Sequence, residues 1–203
     1  MKNLLYKLSF LPRVVREFCY KRYNKLIFRL AGVKYGKNLR VYTKFVLKKY
    51  EGAEVIIGDN LLFTSGDTIN PISRNMAGSI FVNKGATLKI GNNVGISSAC
   101  LRCNERIEIH DNVKIGADSI ILDTNSHSLN YLDRRDVHKD RETTVNAPII
   151  IEEDVLIGAR SIVLKGVRIG ARSIIGSGSV VSKDIPSDCI AAGNPCKVIK
   201  QLQ

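Results

Sequence analysis

Ile151, Ile157, Val163, Ile169, Ile175 and Val181 stand six residues apart, and no other feature of the 203-residue chain restricts its fold as tightly. The same frame holds at Ile109, Ile115 and Ile121, and again at Ile90 and Ile96, while Gly158, Gly170 and Gly176 directly follow three of its members. A phrase recurs where repeats open: Ala53-Glu-Val-Ile-Ile-Gly58-Asp-Asn60, Ala86-Thr-Leu-Lys-Ile-Gly91-Asn-Asn93 and Ile107-Glu-Ile-His-Asp-Asn112. A short strand closed by a tight turn returns the same inward position every six residues. Each segment then buries one branched side chain, and the next coil stacks on it by parallel pairing. Gly and Asn are expected at the corners, where positive φ carries little penalty for them. An α/β fold would need helices of about 10–15 residues between strands, and residues 50–195 offer none. Hydrophobic residues make up 44% of the chain, aromatics only 6%, and Trp is absent. An Ile, Val, Leu and Ala core, suited to strands, follows from that composition.

Residues 1–34 read differently. Apolar residues at Leu4, Leu8, Leu11, Val15, Phe18, Leu26 and Leu30 keep helical spacing. Pro12 is expected to divide this segment into two helices, and Gly32 to stop it. Residues 1–50 hold 14 Lys/Arg against one acid, Glu17, so they carry the entire excess of the +12 net charge. A basic helix with apolar residues between its charges can cap the next domain or lie on an anionic membrane surface through residues 1–32. Nucleic-acid binding is disfavoured because the charge is confined to this segment and no stacking-aromatic motif accompanies it. The pattern of apolar residues matches neither a signal peptide nor a membrane span. A cytoplasmic protein, peripheral on the inner face of the membrane at most, is expected. Five cysteines without framework spacing fit a reducing compartment, and the lone Cys100-x-x-Cys103 lacks partners for zinc.

The frame breaks twice. Residues 63–82 keep it poorly. More sharply, the run 109, 115, 121 reaches His127 and resumes only at Ile151, 24 residues later. Residues 128–147, polar and charged, read as a loop extruded from one corner. Of three histidines, His110 stands at a repeat corner, His138 lies within the loop, and His127 sits at its mouth in Asp123-Thr-Asn-Ser-His127-Ser-Leu-Asn-Tyr-Leu-Asp133.

With these motifs, residues 50–200 resemble the hexapeptide-repeat acyltransferases. The likeness is greatest to those that acetylate lipopolysaccharide, capsule or exopolysaccharide. The resemblance implies an all-β solenoid, a left-handed parallel β-helix with three repeats per coil, over residues 35–203. It also implies acetyl-CoA as acyl donor, a sugar or glycan acceptor and a homotrimer with its active sites between subunits. His127 takes the place of the family's general base. A neutral imidazole suits the removal of a hydroxyl proton near neutral pH, and backbone N–H groups would meet the oxyanion. A carboxylate should orient the imidazole; Asp123, Asp133 and Asp136 are the candidates, with Asp123 the foremost. The stretches Ile175-Gly-Ser-Gly-Ser-Val-Val-Ser-Lys183 and Ala191-Ala-Gly193-Asn-Pro195-Cys-Lys197-Val-Ile-Lys200 resemble the family's donor site. Carried over, Ala159, Ser177, Ser182, Lys183, Lys197 and Lys200 would line the CoA channel, with lysines on its phosphates. Where sugar-acetyltransferase relatives carry an Asn and an Asp before the histidine, this chain has Ile96-Ser-Ser98 and Cys103-Asn104. The acceptor contacts are therefore not copied from them. Three other readings remain at this point: transfer to a free sugar, amino sugar or xenobiotic; a non-catalytic β-helix binding module; and a γ-class carbonic anhydrase. The last needs three zinc-binding histidines, and these are poorly spaced for it; no metal is expected.

Overall fold

The computed structural model describes residues 6, 10–66, 69–73 and 76–202. From Lys34 onward the chain winds through three parallel sheets in turn. One face stacks Lys34–Tyr35, Glu54–Ile57, Thr87–Ile90, Arg106–Ile109, Ile149–Ile151 and Arg168–Ile169 (β1, β4, β7, β10, β13, β16). The second stacks Arg40–Val41, Leu62–Thr64, Gly95–Ser97, Lys114–Ile115, Leu156–Ile157, Ile174–Ile175 and Cys189–Ala192 (β2, β5, β8, β11, β14, β17, β19). The third stacks Phe45–Lys49, Gly78–Val82, Cys100–Cys103, Ile120–Leu122, Ile162–Val163 and Val180–Val181 (β3, β6, β9, β12, β15, β18). This is a left-handed parallel β-helix. Its coils begin at Lys34, ahead of the stretch from residue 50 where the repeat becomes legible in sequence.

The six-residue frame is the register of the core. Ile57, Ile90, Ile109, Ile151 and Ile169 pair in one column, and Phe63, Ile96, Ile115, Ile157 and Ile175 in another. Ile80, Leu101, Ile121, Val163 and Val181 form the third. All fifteen are buried. Fully burying one such side chain is worth about 1.5–3 kcal/mol.

Asn and Gly both carry positive φ at corners, as expected: Asn38, Asn60, Asn93 and Asn112 at 56–63°, and Gly52, Gly85, Gly166 and Gly178 at 69–77°. The Asn amides donate down the stack, Asn38 to Asn60, Asn60 to Asn93 and Asn93 to Asn112, over 2.9–3.2 Å. Gly58, Gly91, Gly116, Gly158 and Gly170 have ordinary φ and serve another need. A Cβ on Gly158 would lie 2.4 Å from the Ser177 backbone nitrogen, and one on Gly116 2.5 Å from that of Ala159. These glycines permit close approach between coils.

Helix α1 (Leu11–Leu30) closes the open first coil. Pro12 sits in its first turn, where its missing N–H costs nothing. The helical expectation for residues 2–5 and 7–9, with Leu4 and Leu8, lies outside the described residues. At the far end Gly32 adopts φ +65° and its N–H reaches the Arg29 carbonyl. Asn24 donates to the Val41 and Thr43 carbonyls at 3.0 and 2.9 Å, satisfying groups that have no coil beneath them. Phe28, fully buried, meets Phe45 with ring centroids 5.6 Å apart, and Phe45 meets Phe63 at 4.8 Å. The other end is finished by β20 (Lys197–Gln201), antiparallel to β19.

Both interruptions are excursions at corners. Between β5 and β6 the chain leaves the coil after Ser65 and returns at Gly78. Between β12 and β13 it makes the long loop, whose base is an antiparallel bridge of Thr124 with Asn146. That loop is not irregular throughout: a 3₁₀ turn at Asp133–Arg135 and helix α2 (Val137–Glu142) order it. Truncating one member of a column, Ile157→Ala, is expected to lower the unfolding free energy by about 2–5 kcal/mol, read by urea denaturation. A loss below about 1 kcal/mol would mean that the column is not tightly packed.

Candidate active site

His127 stands on the rising limb of the extruded loop and is 68% exposed at its side chain. Its Nδ1 lies 2.7 Å from Asp140 Oδ2, in the first turns of α2. The other carboxylate oxygen of Asp140 accepts the backbone N–H of Ser128 at 2.7 Å. Both partners hold the Asp140 carboxyl below the usual aspartate range, the imidazole contact most strongly. An ionised carboxylate can only accept, so Nδ1 carries the proton and Nε2 is the basic nitrogen. Nε2 has no hydrogen-bond partner among the described residues.

Local chemistry explains how the loop presents this pair. Asp136 caps α2, accepting from the His138 and Lys139 N–H groups at 2.8 and 3.1 Å. Its carboxyl is accordingly held low by those backbone donors. Arg134 donates to the Ser128 carbonyl at 2.7 Å, and the Ser128 hydroxyl donates to Asp133 at 3.3 Å. Ser128 is thereby fixed on three sides while its amide holds Asp140.

None of the three expected carboxylates orients His127. Asp123, fully buried, accepts the N–H groups of Asn104, Glu105 and Arg106 at 2.7–2.8 Å and closes the corner of the preceding coil. Asp133 and Asp136 serve Ser128 and the α2 N-terminus. The partner missed in sequence is Asp140, 13 residues beyond His127. One signal points toward it, since Asp136 reads as an N-cap and a helix from 137 raises Asp140 one turn above it.

The donor-site residues fall at two corners and one edge. Ala159 and Ser177 stack between the second and third sheets, beside Gly158 and Gly176. Ser182 and Lys183 follow β18 at the opposite border of the third sheet, the corner from which the His127 loop leaves two coils away. Lys197 and Lys200 lie exposed on β20. One chain therefore sets these groups on both sides of the third sheet and does not wrap them into an enclosed channel. Beside Gly116, Gly158 and Gly176 this corner carries the small residues Ala117, Ala159 and Ser177, which fits a slender pantetheine arm, while Arg160 next to them donates to the Ile72 carbonyl at 3.3 Å. Lys183, Lys197 and Lys200 are in no ion pair among the described residues, which fits phosphate contacts.

Ser97 and Ser98, at the positions expected to differ from relatives, tie down the shorter excursion. Ser97 Oγ meets Thr64 and Asn70, and Ser98 Oγ meets Gly66 N–H and Ser73. Cys100 and Cys103 do not converge: Cys103 points into the core, where burial pushes its thiol up, while Cys100 is only half-buried. Among the described residues no group of three His, Cys, Asp or Glu could hold a metal ion. His110 pairs with Glu153 at 3.6 Å, and His138 lies in the first turn of α2, where its N–H meets Asp136.

Residues 148–183 match the family model described as the hexapeptide repeat of succinyl-transferase. Over 54 residues the chain is 41% identical to a 2,3,4,5-tetrahydropyridine-2,6-dicarboxylate N-acetyltransferase of Staphylococcus aureus (strain Newman), 27% of this chain and 23% of that protein. It thus spans less than a quarter of the length of the curated relatives it matches. Among solved structures it is similar to a hexapeptide-repeat-containing acetyltransferase of Vibrio cholerae O1 biovar eltor complexed with acetyl coenzyme A. That match has a TM-score of 0.54 and 34% identity over 61% of this chain and 65% of that one. The polySia-specific acetyltransferase NeuO matches with a TM-score of 0.56 and 26% identity, over 83% and 81%. A point mutant of AntD, an N-acyltransferase from Bacillus cereus, shares the fold at 20% identity and a TM-score of 0.62, over 84% of each chain.

The Asp140 carboxylate, held below its ordinary value, contributes stability to the loop above that value, and the contribution disappears as pH falls through the depressed one. Hydrogen exchange at the Ser128 amide should therefore accelerate selectively under acid conditions, relative to the Ile109 amide in the core, and Asp140→Asn should show that faster exchange already at neutral pH.

Proposed function

We propose, for a chain that belongs to the hexapeptide-repeat acetyltransferase family, that it moves an acetyl group from acetyl-CoA to a sugar hydroxyl of a bacterial surface polysaccharide or its lipid-linked precursor. The observation that carries this reading is the His127–Asp140 pair. Asp140 orients the imidazole and favours the proton on Nδ1, so Nε2 faces outward as a base. An acceptor hydroxyl placed against Nε2 gives up its proton as its oxygen bonds to the thioester carbonyl carbon. The carbonyl electron pair moves to oxygen, and the resulting oxyanion is met by backbone N–H groups. When the carbonyl re-forms, the carbon–sulfur bond breaks, and the imidazolium returns the proton to the departing CoA sulfur. Asp140 stays ionised throughout and stabilises the transient imidazolium. No acyl-enzyme is involved.

Acetyl-CoA fits the small-residue corner at Ala159 and Ser177, with Ser182 beside the channel and Lys183, Lys197 and Lys200 on the phosphates. The neighbour solved with acetyl coenzyme A supports that donor, and the specificity in the name NeuO supports a glycan acceptor. A homotrimer would let His127 of one subunit face donor residues of the next, which the position of these groups on either side of one sheet favours. The protein would act in the cytoplasm, at the inner face of the membrane, through its basic residues 1–32. The S. aureus relative is an N-acetyltransferase, which favours an amine acceptor as the second reading.

Incubation with acetyl-CoA and a panel of capsule, O-antigen and glycolipid acceptors, with thiol release as the signal, tests the activity. His127→Ala should lower turnover by about 10²–10⁴-fold with CoA affinity retained; unchanged turnover would remove His127 as base. Asp140→Asn should lower kcat by at least about tenfold, through loss of imidazole orientation, and leave the KM for acetyl-CoA unchanged. Transfer to amines alone would replace the hydroxyl reading. Sedimentation equilibrium should give three times the 22.5 kDa chain mass.

A further inference from the structure

The outer side of α1 is built unlike the exposed side of an ordinary capping helix. Its inner side is committed: Asn24 and Phe28 anchor it to the first coil, and Tyr20, Ile27 and Ala31 are half-buried alongside. Opposite these, Leu11, Val15, Phe18, Arg22 and Leu26 succeed one another at intervals of three or four, one stripe on a helix. The four apolar members are each more than half exposed, and Leu30 beside them is 75% exposed. A surface helix of a water-soluble domain turns its polar residues outward. This one turns apolar residues outward on a helix that already has a packed face.

The charges complete the pattern. The helix holds six Arg or Lys against a single Glu. Glu17 is taken by Arg13, and Arg16, Lys21, Arg22, Lys25 and Arg29 are in no ion pair among the described residues; Lys21 and Arg22 lie over the Tyr42 and Phe18 rings and Arg29 donates to the Tyr35 hydroxyl, contacts that leave their charge unneutralised. Lys21, Arg22, Lys25 and Arg29 line one cleft together with Leu26 and Leu39. On the other side of the helix Arg16 and Lys44 line a second groove with Tyr20, Tyr23 and Phe45. The long stems of Lys and Arg lie along apolar surface while their heads reach outward. Cations thus border the apolar stripe and, at Arg22, stand within it over the Phe18 ring, with tyrosines at one margin. No helix among the described residues is long and apolar enough to cross a membrane.

We infer that α1 is an interfacial helix that docks the protein on an anionic lipid bilayer, with Leu11, Val15, Phe18, Leu26 and Leu30 among the acyl chains and Lys21, Arg22, Lys25 and Arg29 on headgroup phosphates. The stripe alone would fit any apolar partner. The cations along the stripe, none neutralised by a carboxylate among the described residues apart from Arg13, select a surface of dense, fixed negative charge. Apolar burial beside electrostatic attraction is how such helices bind. The solenoid would then stand on the membrane by its first coil, with the extruded loop several coils away from the lipid. This inference stands apart from the acyl-transfer reading, since it uses no residue of that site.

Flotation of the full-length protein tests it, with vesicles of phosphatidylcholine alone and of phosphatidylcholine with phosphatidylglycerol. The wild type should float with the mixed vesicles and stay behind with the neutral ones, and raised salt should weaken but not abolish the binding. Arg22→Glu with Lys25→Glu should reduce the bound fraction by about tenfold or more. Phe18→Ser with Leu26→Ser, remote from the packed face, should do the same while thermal unfolding stays unchanged. Equal flotation of either variant and the wild type would overturn the inference. So would indifference to phosphatidylglycerol, or binding of duplex DNA in place of vesicles. A wild type that ignores vesicles because copies of the chain cover Leu26 would overturn it too.

Discussion

Everything in this molecule depends on the spacing between successive coils. Parallel pairing holds neighbouring backbones about 4.8 Å apart, and that distance is too short for any shape that changes from one coil to the next. It forces like upon like: Ile109 lies between Ile90 and Ile151, and Asn60 between Asn38 and Asn93. It also excludes a Cβ at Gly116 and Gly158. A narrow core with one branched side chain per face leaves little room for aromatics, which gather at the first coil around Phe28, Phe45 and Phe63.

The same constraint decides what the sequence discloses. The coils are legible because each repeat has to satisfy its own neighbours, so the rule is written locally and often. The break at His127 is legible for the same reason, as a fault in a strict frame. The glycines divide between two needs, since positive φ at Gly85 and Gly166 and close approach at Gly116 and Gly158 both ask for a missing Cβ, and only the stacked backbones tell these apart. Asp123 looks suited to His127 because it is near in sequence. In the fold its buried carboxylate is consumed by three N–H groups of the coil before it. Asp140 reaches the imidazole through a helix that the repeat does not encode. Asn24 is invisible as an anchor, since its partners are carbonyls left bare by the absence of a preceding coil.

Polar groups are divided between these two worlds. Within the solenoid they are spent on closure: buried serines bond to corner carbonyls, as Ser161 does to Gly158 and Ser179 to Gly176. Outside it, on the loop, the same residue types build a presented pair, with Arg134, Ser128, Asp140 and His127 linked in series. The loop also carries exposed apolar side chains, Leu129, Tyr131, Leu132 and Val137.

The bridge between Thr124 and Asn146 has an evolutionary consequence. It pinches the loop shut at its root, so the coil above resumes in phase whatever the loop contains. The entropic cost of closing a loop grows only slowly with its length, each doubling adding about 0.6 kcal/mol. Selection can therefore lengthen, shorten or rewrite the segment from Asn125 to Val145 without disturbing the Ile columns. The solenoid acts as a rack and the loop as an exchangeable cartridge, so descendants of one stable frame can come to present different side chains by replacing a single insert.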